Sequence, residues 1–153
     1  MIKLTEVVYD IRARNGTWCK HQYQDHPNGC PNYPRCIVKF PDFASIKEKY
    51  QWYAIVEEFD LLRHMKIMKE KHPRWSERQC RNPYYWQGGV RKRLRERAEE
   101  CKEWFCQGYS DVIILTIPEA CGVNVFETME KVGIILEKKP NTVRKVMLVG
   151  AGD

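Results

Sequence analysis

Apolar and polar positions along the 153-residue chain change period several times, and each change marks an element. Residues 52–59 read as a strand, with Tyr53, Ile55 and Val56 in a β-prone run. Asp60 can then cap a helix whose apolar positions Leu61, Met65 and Met68 step by four and three. His72-Pro73 ends that helix. Ser76-Glu77-Arg78-Gln79 matches a capping box and predicts a second helical start. Asn82-Pro83 interrupts it, and a long helix resumes near Tyr84 and runs to Phe105 or Cys106, weakened at first by Gly88-Gly89. Residues 111–117 form the most continuous apolar stretch, which predicts a central strand covered on both faces. Asn124 is placed to cap a short helix through Met129, ended by Gly133. Residues 134–137 and 143–149 read as two further strands. The opening stretch around Val7, Val8, Tyr9 and Ile11 fits a strand or a short helix, and Asn15-Gly16 signals a turn.

This order, β-α-α-β-α-β-β, predicts one domain over residues 1–153: an α+β or α/β fold with a single mixed sheet and helices. Residues 17–44 break the pattern. They hold four prolines and keep no period of 2 or 3.6, and an irregular loop of that length needs something to order it. Cys19, Cys30 and Cys36 lie inside it.

Composition sharpens this. A chain of this size buries enough surface for a core without covalent staples. It carries seven cysteines, an odd number, and its first residues show no secretory pattern. A disulfide framework is therefore not expected, and a reducing cytoplasm is. No apolar run approaches the ~20 residues of a membrane helix. The net charge of +6 permits a polyanionic partner without requiring one.

The loop cysteines follow the spacing C-x10-C-x5-C. Thiolates are soft ligands that select zinc, copper(I) or iron–sulfur clusters. Asn28-Gly29 lets the backbone approach closely, and Pro31 restricts the chain after Cys30. A cluster calls for a further ligand, which Cys80 or Cys121 can supply. The zinc reading instead takes His26 with Cys19, Cys30 and Cys36, and Asp25 could orient that ring. Cys101 and Cys106, five apart on the long helix, read as buried small apolar residues.

Three stretches resemble a known family. The first runs from Trp18-Cys19 through His26-Pro27-Asn28-Gly29-Cys30-Pro31-Asn32-Tyr33 to Cys36. The second is Pro118-Glu119-Ala120-Cys121-Gly122-Val123-Asn124-Val125-Phe126, followed by Thr128 and Gly133. The third is Cys80-Arg81-Asn82-Pro83-Tyr84-Tyr85-Trp86-Gln87. Together they are similar to the cysteine-rich "predicted metal-binding protein" family of bacteria, archaea and phages, whose function is unknown. The resemblance implies a cysteine-ligated metal centre, an iron–sulfur cluster of the 4Fe–4S type, and favours Cys80 over Cys121 as the fourth ligand. Relatives carry Cys-Pro-Pro at the third cysteine, whereas Cys36 is followed by Ile37-Val38. The resemblance implies no reaction; an iron–sulfur cluster would serve a redox role with a redox partner, or sulfur chemistry.

A second candidate is the basic run Arg91, Lys92, Arg93 and Arg95, preceded by Tyr85. Cations beside aromatic rings can hold single-stranded nucleic acid. The bland alternative is a solvated helix face, supported by the i,i+4 pairs Lys92–Glu96 and Arg95–Glu99. No nucleophile elbow, phosphate loop or zinc-protease motif accompanies the four histidines. His64 reads as exposed.

Overall fold

Strand β4, Thr142–Gly152, organises the sheet. It pairs along its whole length with β2, Gln51–Asp60, and over its last five residues with β3, Asp111–Leu115. A two-residue β1, Ile2–Lys3, adds to the other side of β2, for the order β1-β2-β4-β3. The computed structural model describes residues 1–20, 27–138 and 140–153. Every pairing among them is antiparallel, so the fold is α+β and the sheet is not mixed.

Side chains alternate across the sheet, and both faces are covered. On one face Trp52, Ala54 and Leu148 join Phe43, Val123, Val125 and Met129. On the other, Ile55, Met147, Val149 and Ala151 meet α6, Gln87–Phe105. That helix buries Val90, Leu94, Ala98 and Phe105, a stripe at helical spacing. Gly150 is required opposite Trp52 in the β2–β4 pairing, because a Cβ there would come within 2.8 Å of the indole.

Local signals in the sequence match the structure closely. Asp60 accepts from the Arg63 amide at 3.0 Å and starts α4, Leu61–Lys71. Ser76 and Gln79 form a complete reciprocal capping box on α5, Glu77–Cys80. Asn124 caps α7, Val125–Glu130. The opening stretch makes one isolated bridge, Tyr9 with Val123, then the short α1, Ile11–Arg14.

Four expectations change. Strand β3 is an edge strand: its apolar residues do face both layers, but only β4 hydrogen-bonds to it. Residues 134–137 form no strand. Ile134 and Leu136 pack on the core while Ile135 is 60% exposed, so the segment is held by one-sided burial without a ladder partner. Residues 17–44 are not wholly irregular, since α2, Tyr33–Lys39, and α3, Phe43–Ile46, form there, with Asp42 capping α3. The long helix begins at Gln87 rather than near Tyr84, because Pro83–Tyr85 makes a separate 3-10 turn after the Asn82 cap.

Candidate functional site

The cysteine loop is built by backbone contacts. The Lys20 amide donates to the Gly16 carbonyl, and the Cys30 amide donates to the Cys19 carbonyl, joining residues eleven apart in sequence. Gly29 makes this approach possible. Its φ is +86°, and a side chain there would meet the Cys19 carbonyl and the Lys20 backbone. The Tyr33 amide then donates to Cys30, and α2 starts, placing Cys36 one turn in.

The three thiols consequently share an environment. All are partly buried. The Cys19 thiol is pushed above its ordinary pKa by burial first, then by Cys30 and Cys36. A positive metal ion among neighbouring thiols favours their thiolate forms, since it offsets the repulsion between them. Among the described residues, no group of three or more histidine, cysteine or carboxylate side chains stands arranged to hold a metal ion. The chemistry of the donor set, three thiols, is the kind that suits a thiophilic metal. His26, with Asp25, lies outside the described residues.

The remaining cysteines separate. Cys80 ends α5, only 2% exposed, with α5 packed on α4. Cys121 is fully buried in the first core cluster, and burial drives its thiol to about 12. Cys101 is partly buried on α6, whereas Cys106, the residue that follows the last turn of α6, is exposed and not buried as expected. Arg14 fastens the loop to the domain. Its guanidinium donates to the Ile37 and Phe40 carbonyls at the end of α2, at 2.9 and 2.8 Å, and to the Ala120 carbonyl at 3.0 Å.

The basic run does not form a uniform solvated face. Arg93 and Arg97 turn to β2, where both contact Glu57 at 3.2 and 2.8 Å. Arg97 also donates to the Val56 carbonyl. Lys92 reaches Glu96 at 4.0 Å on the outside. Arg91 and Arg95 instead line a cavity of about 1250 Å³ between α6, β4, α5, residues 136–138 and Pro140.

That cavity contains residues the sequence reading did not single out. Lys145 stands on β4, and Glu119 follows Pro118 in a 3-10 turn. Burial raises the Glu119 carboxyl, with Lys145 and Arg91 pulling it back. Burial lowers the Lys145 amine, and Arg91 lowers it further. With its amide oxygen turned toward them, Gln87 accepts from Arg91 and Lys145 at 3.3 and 3.2 Å. The available signal was Arg144-Lys145, two charges inside an otherwise apolar strand.

An aromatic cluster adjoins it. Trp86 lines the cavity, stacks on Phe59 at 5.1 Å and donates from its indole to the Arg81 carbonyl. Beyond Pro83, Tyr85 meets Trp75 at 5.3 Å and Tyr84 at 5.2 Å, and Trp75 stacks on His72. His64 is not exposed as expected: its ring packs on Phe59 and its Nε2 is buried.

Compared with known protein families, curated proteins and solved structures, the chain matches none. Among the described residues, no helix is long and apolar enough to cross a membrane.

Proposed function

We propose that this chain is a thiolate-ligated metal protein of the cytoplasm, with Cys19, Cys30 and Cys36 as its metal-holding set. The observation that carries the reading is the joint environment of these three thiols, created by the Cys30–Cys19 backbone hydrogen bond and the Gly29 turn. The resemblance of this loop to cysteine-rich metal-binding proteins supports it, as do seven cysteines that are all free. A reducing compartment keeps such thiols available.

The first assignment is an iron–sulfur cluster of the 4Fe–4S type with Cys80 as fourth ligand. Such a cluster supplies one-electron transfer, or sulfur chemistry where one iron has an open position. The chain's own contribution is to hold three thiols together, and Arg14 restrains α2 so that Cys36 stays near the other two. The second assignment is zinc, with His26 completing a Cys₃His set that orders the loop.

Anaerobic purification followed by metal and sulfide analysis tests the proposal. A brown protein with iron and acid-labile sulfide supports the cluster. A colourless protein with stoichiometric zinc supports the second assignment, because zinc has a filled d shell. Folded protein that retains neither metal, and takes up neither on reconstitution, overturns the proposal.

A further inference from the structure

We propose that the cavity between α6 and β4 is a binding cleft for single-stranded nucleic acid, with phosphates held inside and bases stacked at its aromatic rim. The inference does not rest on the metal, because no cysteine lines the cavity.

Charge is the first argument. Among the described residues, eight basic side chains line the cavity against two carboxylates, Glu119 and Glu137. One of the eight, Arg144, is paired with Glu58 at 3.0 Å, and the lining as a whole still carries an excess of positive charge on one concave surface. Low-dielectric walls focus that field and attract a polyanion.

The way α6 divides its cations is the second argument. Arg93 and Arg97 are neutralised by Glu57, and Lys92 by Glu96. Arg91 and Arg95 lie one turn apart and both face the cavity. Neither forms an ion pair among the described residues. From the opposite wall β4 contributes Lys145, half-buried beside Arg91. Two arginines and a lysine from facing elements suit successive phosphates on a strand.

Size and shape favour a polymer over a small metabolite. Small-molecule pockets run from roughly 300 to 1,000 Å³ and enclose their ligand. This cleft is larger, at about 1250 Å³. Beside it, between the lining residues Pro83 and Trp86, the chain carries two flat rings suited to bases that do not themselves line the cavity: Tyr84 is 85% exposed and Tyr85 48% exposed. Trp86 continues this set into the cavity, braced from behind by Phe59. A basic groove beside stacking rings is the general arrangement for sequence-tolerant single-strand binding. Glu119 adds an acceptor inside the cleft that can take a hydrogen bond from an exocyclic base amine.

The test is a titration of labelled 12-residue oligonucleotides, one RNA and one single-stranded DNA, with the purified full chain at two salt concentrations. Three to four phosphate contacts predict a log–log salt slope of roughly −2 to −3, from about −0.7 per contact. Arg91→Ala combined with Arg95→Ala should make the slope shallower by about 1.4. Lys145→Ala supplies a second, independent variant from the other wall, with a shift of about 0.7. Tyr85→Ala should weaken binding roughly fivefold or more with the slope unchanged, because a stacked ring releases no counterions. Lys92→Ala, outside the cleft, should change little. Tighter binding of RNA than DNA, or the reverse, identifies the source of the strand. Circular dichroism establishes that each variant is folded. The inference is overturned by any of three results: no saturable binding at low salt, equal loss in Lys92→Ala and the cavity variants, or complete competition by inorganic triphosphate at equimolar concentration.

Discussion

Arg97 on α6 and Glu57 on β2, forty residues apart, meet at 2.8 Å, and Arg93 reaches the other oxygen of the same carboxylate at 3.2 Å. This one carboxylate decides what the basic helix does. It draws two of the cations onto the sheet and leaves Arg91 and Arg95 facing the cavity. The helix is anchored by charge-assisted hydrogen bonds on one flank and by the Val90, Leu94 and Ala98 stripe beside it.

Glu57→Gln should therefore destabilise the fold by about 1–2 kcal/mol at neutral pH, the range for hydrogen bonds to charged groups reduced for two half-exposed arginines. Arg97 first, then Arg93, hold the folded carboxyl below its ordinary value of 4.5. The contribution is thus present above that value and is lost as pH falls through the lower folded pKa. Urea unfolding of both proteins should show the gap at neutral pH and a much smaller one in strong acid. A gap independent of pH would refute the electrostatic account.

His64 has the opposite consequence for a base. Its folded pKa is lowered by burial first and by Lys71 second, and its Nε2 has no partner. The unfolded chain binds a proton that the folded ring resists, so stability falls as pH drops below the ordinary value of 6.5. His64→Phe keeps the ring against Phe59 and removes the proton. Its melting temperature should decline less than that of the parent between neutral and mildly acidic pH. Parallel declines would rule this out.

Arg14→Met should loosen the cysteine loop without unfolding the sheet. The variant loses the donors to Ile37, Phe40 and Ala120, and α2 has no buried residue of its own to hold it. Hydrogen exchange should rise over 33–40 while β4 amides stay protected, and Cys36 should alkylate faster. Unchanged exchange over α2 would show that other contacts secure it.

The cysteines should divide by metal content. Cys30→Ser and Cys36→Ser are expected to lose the metal, and Cys80→Ser to lose it if the centre is a four-cysteine cluster. Cys101→Ser and Cys106→Ser should retain it. Cys121→Ser should retain metal but lose about 1–3 kcal/mol, since it buries a hydroxyl in the apolar core. The burial that pushes its thiol to about 12 should also leave native Cys121 unalkylated at mildly alkaline pH, where exposed Cys106 reacts. Elemental analysis and mass-spectrometric labelling check these outcomes. Metal loss in Cys121→Ser with retention in Cys80→Ser would reassign the fourth ligand.

The residues themselves determined whatever depends on near neighbours. Asp60, Ser76 with Gln79, and Asn124 each cap a helix through bonds to residues at most three positions on, so the signal and its partner sit in one window. The apolar continuity of residues 111–117 likewise announced a strand with both faces covered. Only the tertiary structure decided that this strand lies at an edge, because burial depends on the layers above and below while position in a sheet depends on which strands compete for its hydrogen bonds. The same distinction explains 134–137, apolar enough for a strand but given no ladder partner, and Arg93 and Arg97, read along the helix when their partner lay on β2. The three loop cysteines could be named from spacing and residue type. Their approach required a backbone bond across eleven residues and a glycine at positive φ. The cavity was the least legible feature, since α6, β4, α5 and two connecting segments each contribute a few charges. The basic run on α6 supplies only Arg91 and Arg95; the other lining cations come from separate segments that the fold brings together.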